Sequence, residues 1–371
     1  MVLSPLRNIN FRKSVILRTT FPIKRYRSRT SSTTIKQIRQ IMSTSAGEAK
    51  ATATAGFGPG VGETSRAVMK SVYAYEVSEG VGARVRRSIG SPELRNLTPF
   101  LMLDHFRLEK GKAGGFPDHP HRGQSTITYM MSGMSHHQDF LGNHGLLEPG
   151  DVQWMVAGKG IVHAEMPYFD PDPTKAEDAA GLQLWVDLPQ NQKFIDPTYQ
   201  ERKAKEIPTI RPKEGVEVTV ISGESHGIKG FVRPVGGCWY LNFRLQKPGA
   251  SVFQPLPEGW TAFVYIISGK LQVGSDPATA AIHDKYHTLV LTCQPGENGV
   301  TLTRPESSST EEEETRFVLV AGEPLDQKVV QYGPFVVNTQ RQAMEAVTDF
   351  RMGRNGFERA VGWESEIGKA R

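Results

Sequence analysis

The chain is poor in cysteine, with only Cys238 and Cys293 among its 371 residues. Two cysteines cannot build the disulfide framework of a small secreted domain, so a reducing compartment is as compatible with the sequence as any other. Long uninterrupted apolar runs are also missing, so no membrane-spanning helix is predicted. The length exceeds that of one ordinary domain and suits two domains with additional segments.

Acidic residues are absent from the first 47 positions, which contain ten Lys or Arg residues. The whole chain has 44 basic and 39 acidic residues, so removing those ten leaves 34 against 39, a net charge near −5. The excess positive charge therefore belongs to the N-terminal segment. For this reason, direct DNA binding by the rest of the chain is not expected.

The composition of the N-terminal segment is that of an organelle transit peptide, in first place a mitochondrial one. It is rich in Arg, Ser and Thr, and its apolar residues are scattered. Residues 43–65 are rich in Ala, Thr and Gly, which is typical of a disordered linker. Two alternatives remain open. The segment can be a basic tail without a sorting role, or initiation at Met42 can bypass it and leave the protein in the cytoplasm and nucleus.

Two short motifs between positions 116 and 167 place potential metal ligands two residues apart. The first contains His119 and His121, and the second contains His163 and Glu165. In an extended strand, residues two apart project from one face, with Cα atoms about 6–7 Å apart. Together the two pairs offer three imidazoles and a carboxylate, a set that suits Fe, Mn, Ni, Cu or Zn. A single pair would be better explained as surface histidines, but two pairs beside Gly or Pro favour a metal site.

The sequence around these motifs is typical of antiparallel β-structure. Residues 124–131 are rich in β-branched and aromatic side chains, and turns are indicated near Gly133, Gly145 and Gly150. Short strands joined by glycine-rich turns predict a sandwich or a small barrel. The inward side chains of such a barrel can line a small cavity, and we expect the ligand pairs on two strands that face it.

The motifs of this region are similar to those of the pirins, a family within the cupin superfamily. The matching stretches are GFPDHPHRG at 115–123, GDVQWM at 150–155 and HAEMP at 163–167. Further matches extend the resemblance from about Tyr73 to the C-terminus, so it covers the whole chain apart from the N-terminal segment.

The resemblance implies an all-β fold of two jelly-roll cupin barrels in tandem, with short C-terminal helices and a disordered N-terminal extension. It also implies an iron site formed by His119, His121, His163 and Glu165, with one iron ion per chain; other divalent metals are alternatives. The second barrel is expected to lack metal, because a Ser-Val-Phe-Gln sequence at 251–254 replaces a His-x-His motif. The predicted segments are 1–67 (N-terminal extension), 68–190 (metal-binding barrel), 191–225 (connection), 226–336 (second barrel) and 337–371 (helical segment).

The chain departs from the pirin pattern directly after the first motif. It has Gln124 and Ser125 where pirins usually have Phe-Glu. In many other cupins a Glu in this region is a metal ligand, whereas in pirins the carboxylate comes from the later motif, here Glu165. The departure is therefore expected to change the polarity of the pocket rather than the ligand set.

An open metal position could bind a catechol, or an enol with a neighbouring carbonyl. The metal would lower the pKa of the bound hydroxyl and bring O2 or its electrons to the substrate. Since some pirins cleave quercetin, the resemblance implies a quercetin 2,3-dioxygenase-like activity on a flavonol. In that reaction Glu165 would also shuttle the substrate proton. No membrane contact is expected, and the protein is expected to be a monomer.

The alternative function implied by the resemblance is that of a redox-sensing transcriptional coregulator, which binds a transcription factor through a metal-dependent surface. Arg84, Arg86 and Arg87 would then form part of a docking face, although a solvated charged strand is the simpler interpretation. His105 is predicted to be structural, and Arg122 and Trp154 are candidates for the edge of the pocket. Three more histidines are predicted to lie at the surface, namely His136, His137 and His144.

Overall fold

The computed structural model describes residues 62–112, 114–172, 174, 176–276, 280–308 and 314–369. The predicted transit peptide, and the predicted linker up to residue 61, lie outside these residues. The described part consists mostly of β-strands, in agreement with the predicted fold class. Its helices are too short or too polar to traverse a bilayer.

The first half of the described chain contains twelve strands, of which the fifth and the tenth carry the two ligand motifs. They are β1 (Val68–Tyr73), β2 (Tyr75–Glu79), β3 (Ala83–Arg87), β4 (Phe100–Leu108), β5 (Phe116–His121), β6 (Gln124–Ser132), β7 (Met134–Asp139), β8 (His144–Leu147), β9 (Val152–Val156), β10 (Ile161–Tyr168), β11 (Ala179–Asp187) and β12 (Thr198–Arg202).

The second half contains the remaining strands and both α-helices. They are β13 (Thr209–Lys213), β14 (Val216–Ser222), β15 (Glu224–Ser225), β16 (Ile228–Lys229), β17 (Cys238–Leu245), β18 (Ser251–Pro255), β19 (Thr261–Ser268), β20 (Lys270–Val273), β21 (Ile282–Asp284), β22 (His287–Leu291), β23 (Gly299–Thr303), β24 (Thr315–Gly322), β25 (Val330–Tyr332), β26 (Phe335–Val337), α1 (Gln340–Met352) and α2 (Glu366–Lys369).

Each barrel consists of a seven-stranded sheet that faces a four-stranded sheet. In the first barrel the orders are β12-β9-β6-β11-β4-β3-β2 and β5-β10-β7-β8. In the second they are β1-β22-β19-β24-β17-β14-β13 and β18-β23-β20-β21. The tandem barrels predicted from the sequence are thus confirmed.

The two long sheets are buried on both faces, and their shared apolar face explains why the barrels pack against each other. In β6, Ile127 and Tyr129 belong to a buried cluster that also contains Tyr265 and Val318 of the second barrel. The alternate residues Thr126 and Thr128 point to the opposite face, because successive side chains of a strand alternate. One face of the sheet therefore closes the interface between the barrels, and the other lines the interior of the first barrel.

Strand pairing differs from the predicted segments in two places. The predicted first barrel begins at Val68, but β1 pairs antiparallel with β22 of the second barrel. The predicted connection ends at residue 225, but β14 pairs with β17 inside the second barrel. Both strands complete the long sheet of the second barrel, whose edge would otherwise expose unpaired backbone groups. The other segment boundaries stay predictions.

Helix α1 lies in the predicted helical segment, residues 337–371, and brings this part of the chain back to the first barrel. The side chain of Thr339 accepts a hydrogen bond from the Gln342 amide, which begins the helix, and Gly353 ends it with a φ of 61°. Beyond the helix, Phe357 is fully buried in a cluster with Ile161 and Phe335. The C-terminal segment thus packs against the strands that present the ligand motifs.

Candidate metal centre

Three histidine side chains meet inside the first barrel. The ligand-type nitrogens of His119, His121 and His163 all lie within 4.8 Å of one another. His121 and His163 are buried, and His119 is half-buried. Across the described residues, no other group of three or more His, Cys, Asp or Glu side chains comes this close.

The register of two neighbouring strands produces this cluster. His119 in β5 lies directly opposite His163 in β10, and His121 lies opposite Ile161. Directly opposed residues project from the same face of a sheet, as do residues two apart on one strand. The structure thus brings His119, His121 and His163 together from two strands, which are direct neighbours in the sheet.

The distances within the cluster match those of metal ligands. The Nε2 atoms of His119 and His163 are 3.0 Å apart. A first-row metal binds imidazole nitrogen at about 2.0–2.1 Å, so two neighbouring ligands of one ion lie about 3 Å apart. The three rings therefore fit a metal ion without rearrangement of this pair.

The protonation states of the rings also favour metal binding. Burial, followed by the neighbouring His119, holds the pKa of His121 well below its usual value. The same two causes, in the same order, lower the pKa of His163. The Nδ1 atom of His119 is 2.8 Å from the carbonyl oxygen of Pro117 and donates to it, because a carbonyl can only accept. This leaves Nε2 of His119 with a free lone pair, the form that metals bind.

Glu165 lies beside the cluster rather than within it. Its Oε2 is 3.9 Å from Nε2 of His163, longer than the spacing of the two histidine nitrogens. Thr128 donates to Oε1 over 2.9 Å. The amide of Gln183 lies 3.2 Å from each carboxylate oxygen and donates to the group. The carboxylate is thus fixed by the facing sheet, with Oε2 turned toward His163.

A row of polar side chains crosses the sheet opposite the cluster. Gln153, Thr128 and Gln183 are direct neighbours across β9, β6 and β11. The Oε1 atoms of Gln153 and Gln183 are buried and have no hydrogen-bond partner among the described residues. Next to them, the ring of Trp185 packs edge-on against His121 with centroids 5.0 Å apart. The cavity wall therefore combines buried hydrogen-bond acceptors with an aromatic surface.

The prediction that His137 is a surface residue is wrong. It is 3% exposed and lies directly opposite Glu165 on β7. Its Nε2 is 2.9 Å from Oε2 of Glu201 and 2.7 Å from the Tyr199 hydroxyl. The hydrogen bond from His137 lowers the pKa of Glu201 to about 2, and burial raises the pKa of Tyr199. Sequence reasoning missed this group because Tyr199 and Glu201 come from a distant strand.

The other candidate residues lie outside the cavity. Trp154 belongs to the cluster between the barrels, so it does not line the pocket. His105 is structural, as predicted, with Nδ1 3.1 Å from the Tyr265 hydroxyl. His144 is exposed, also as predicted, and the half-buried His136 stacks on the ring of Tyr168.

Arg122 joins the ligand motif to the C-terminal segment instead of contacting the cavity. Its guanidinium donates to Asp349 over 3.0 Å, to the carbonyl of Lys159 over 2.6 Å and to that of Asn355 over 2.6 Å. The Arg122 side chain is buried, and these three hydrogen bonds hold its guanidinium in place. Arg122 is therefore a structural anchor of the loop that follows His121.

The three arginines of β3 each have acidic partners. Arg84 and Arg86 both pair with Glu76 on the neighbouring strand. Arg87 pairs with the buried Asp104 over 2.6 Å and with Glu79 over 2.9 Å. These pairs neutralise much of the positive charge that a basic docking face would need.

The region of the second barrel that corresponds to the ligand motif is filled. Gln254 is fully buried, donates to the carbonyls of Glu224 and Pro255, and accepts from the Ser225 hydroxyl. The interior around it contains apolar side chains such as Val252. The absence of metal from this barrel stays a prediction; the amide of Gln254 is already hydrogen-bonded within the protein.

Two packed jelly-roll barrels, with a histidine cluster inside the first, define the chain as a bicupin with a candidate metal centre. Residues 82–186 match the Pirin family and residues 240–356 match the Pirin C-terminal cupin domain. The chain belongs to the pirin family.

Curated relatives confirm this membership over most of the chain. Pirin of Homo sapiens is 50% identical over 306 residues, which cover 82% of this chain and 99% of the relative. A Pirin-like protein of Solanum lycopersicum is 48% identical and covers 81% of this chain and 97% of its own length.

Solved structures show the same fold. A quercetin 2,3-dioxygenase from Acinetobacter baumannii is 30% identical, with a TM-score of 0.69 over 79% of this chain and 99% of its own. The bacterial pirin YhhW from Escherichia coli, solved in complex with nickel(II), has a TM-score of 0.52 over 69% of this chain and 99% of its own. It is 17% identical, so it supports the fold alone.

Proposed function

We propose that this pirin is a metal-dependent dioxygenase of the quercetin 2,3-dioxygenase type. The observation on which this rests is the pair of imidazole nitrogens 3.0 Å apart, next to a buried carboxylate. His119, His121, His163 and Glu165 would hold one ion. Iron is the proposed metal, and other divalent ions are alternatives. The likeness to a solved quercetin 2,3-dioxygenase supports a flavonol as the substrate class.

The bound metal would supply Lewis acidity toward substrate oxygens and electrons for O2. The protein's own contribution is to hold the three imidazoles in place and to orient Glu165. Thr128 donates to Oε1 alone and the Gln183 amide is shared between both oxygens, so Oε2 accepts fewer hydrogen bonds and is the oxygen better placed to accept a proton from a substrate hydroxyl. Such a base must lie within hydrogen-bond reach of the proton that it takes.

The cavity wall suits a polyphenol. The Oε1 atoms of Gln153 and Gln183 are buried acceptors without a hydrogen-bond partner in the described part of the chain. Leaving buried acceptors unpaired is costly, so a ligand that supplies O–H donors gains affinity by pairing them. Trp185 adds an aromatic surface beside His121. A flat, hydroxylated aromatic molecule offers both kinds of contact.

Replacing Glu165 with Gln should remove most of the O2 uptake that a flavonol supports, because the amide cannot accept the substrate proton. The measurement is oxygen consumption by the iron-loaded protein with a panel of flavonols and catechols. Glu148→Gln is the matched control, since Glu148 is exposed at a turn away from the cavity. Uptake no faster than that of free iron, for every compound in the panel, would contradict the proposed activity.

If no compound in the panel supports O2 uptake above that of free iron, the coregulator hypothesis becomes the stronger one. Under it the metal site would be structural or sensory, and a transcription factor would bind a surface that depends on the metal. On this docking face Arg84, Arg86 and Arg87 would have to contact the transcription factor, although each already forms an ion pair with an acidic residue. Binding of a partner that changes with metal content would be its supporting result.

We further propose that residues 1–47 direct the protein to mitochondria. The segment is cationic and free of acidic residues, and the membrane potential favours inward movement of positive charge by about 2.3 kcal/mol per charge per 100 mV. A reporter fused after Gly47 should therefore enter mitochondria. A reporter fused to the chain that starts at Met42 should stay in the cytoplasm and nucleus. A diffuse distribution of the first fusion would contradict the proposal.

A further inference from the structure

Gln124 connects a candidate metal ligand to the C-terminal part of the chain. Its side chain is fully buried, and its Nε2 lies 3.0 Å from Nδ1 of His121. The same Nε2 donates to the carbonyl oxygen of Pro334 over 3.0 Å. An apolar side chain at this position could make neither contact. The polar side chain is therefore a feature of this chain that bears directly on its metal centre.

Pro334 belongs to a two-stranded C-terminal ribbon, residues 330–337, formed by β25 and β26. This ribbon lies on the loop that follows His121. The Val336 amide donates to the carbonyl of Arg122 over 2.9 Å. Lys193, fully buried, donates to the carbonyls of Gly123 over 3.0 Å and Val336 over 3.3 Å. The ribbon is thus bound to the loop at several consecutive residues.

The approach of the ribbon is too close for a side chain on the loop. A Cβ atom at Gly123 would lie 1.9 Å from the Val336 carbonyl oxygen, and the residue has a φ of +83°. Only glycine tolerates both conditions. A shift of the ribbon would therefore be transmitted to the loop, and through Gln124 to the ring of His121.

We propose that Gln124 is a positioning residue that couples metal binding at His121 to the docking of the C-terminal ribbon. The inference rests on the proposed metal site. A histidine ligand needs a partner for its second ring nitrogen, which fixes the orientation of the ring. When His121 binds a metal through Nε2, its Nδ1 carries the proton, so the carboxamide of Gln124 must turn its Oε1, which has no protein partner among the described residues, toward that ring. This turn takes Nε2 away from the Pro334 carbonyl, so bound metal should hold the ribbon less firmly, and the coupling is reciprocal.

Replacing Gln124 with Leu should weaken metal binding by about 10- to 100-fold, the usual effect of losing the partner of a histidine ligand. The measurement is competition for Ni²⁺ between the full chain and a chelator. Gln124→Glu keeps an acceptor for the His121 ring and should restore most of the affinity. Gln254→Leu is the matched control, because it removes an equally buried glutamine from the second barrel. Its Ni²⁺ affinity should equal that of the wild type.

The second readout is amide hydrogen exchange in the ribbon, which reports local opening. Adding Ni²⁺ to the wild type should speed exchange at Val336, because the turned carboxamide no longer donates to the Pro334 carbonyl. Both Gln124 variants should lose this change, because neither Leu nor an ionised Glu can donate to the Pro334 carbonyl. Gln254→Leu should retain it. This readout does not depend on catalysis and would be unaffected if no flavonol is a substrate.

Two results would overturn the coupling. One is Ni²⁺ affinity of Gln124→Leu within about twofold of the wild type, well short of the usual effect of a lost partner. The other is an amide exchange rate at Val336 of the wild type that does not change when Ni²⁺ is added. Failure of the wild type to bind Ni²⁺ at all would overturn both this inference and the proposed metal site. Absence of O2 uptake alone would overturn only the dioxygenase proposal.

Discussion

The variant His121→Ala should purify with almost no bound metal. His121 is buried, and its ring is one of three that meet within 4.8 Å. Removing it leaves two imidazoles and a carboxylate that already accepts hydrogen bonds from Thr128 and Gln183, so the ion loses a buried ligand and is held too weakly to survive purification. The measurement is elemental analysis of the purified variant beside the wild type, after both have been supplied with iron.

Two further variants sharpen this prediction. His144→Ala is the matched control, because His144 is exposed and its Nδ1 contacts only the nearby Gly142 carbonyl among described residues. It should keep the metal content of the wild type. The double variant His119→Ala, His163→Ala should bind none. Full metal content in the double variant would show that the ion is held elsewhere.

The variant Lys193→Met should lower the free energy of unfolding by about 3–5 kcal/mol, the usual cost of breaking a buried ion pair by removing one partner. Lys193 pairs with Asp187, and both side chains are buried. The substitution would leave Asp187 with only the Gln327 amide as a side-chain partner, and it would leave the carbonyls of Gly123 and Val336 without Lys193. Denaturant unfolding of both proteins measures the difference.

An exposed pair provides the comparison for this prediction. Lys247 pairs with Glu214 at the surface, where water screens the interaction. Lys247→Met should therefore leave the unfolding midpoint close to that of the wild type. If Lys193→Met lowered the free energy of unfolding as little as Lys247→Met does, the buried pair would not stabilise the junction between the ligand loop and the C-terminal ribbon.

The ligand motifs could be predicted from the sequence because their geometry is local. Residues two apart share a face of a strand, so His119 with His121, and His163 with Glu165, could be paired without knowledge of the fold. That the two pairs meet depends on one antiparallel register, which the pirin resemblance implied and the structure shows.

What the sequence could not provide are contacts between distant segments. His137 looked like a surface residue because its partners Tyr199 and Glu201 follow about 60 positions later on the edge strand β12. Strand β1 precedes the first barrel in sequence but completes the second. Gln124 seemed to change only pocket polarity, and its contact with Pro334 spans 210 positions. Such pairings depend on the topology of the whole fold rather than on local pattern.

The most direct test of the account is the metal content of the purified wild-type protein. The proposed centre predicts one metal ion per chain, mostly iron, lost when His119 and His163 are both replaced. Two ions per chain would contradict the expectation that the second barrel binds no metal. No bound metal after supply with iron, nickel or zinc would contradict the metal centre itself, and with it the dioxygenase proposal.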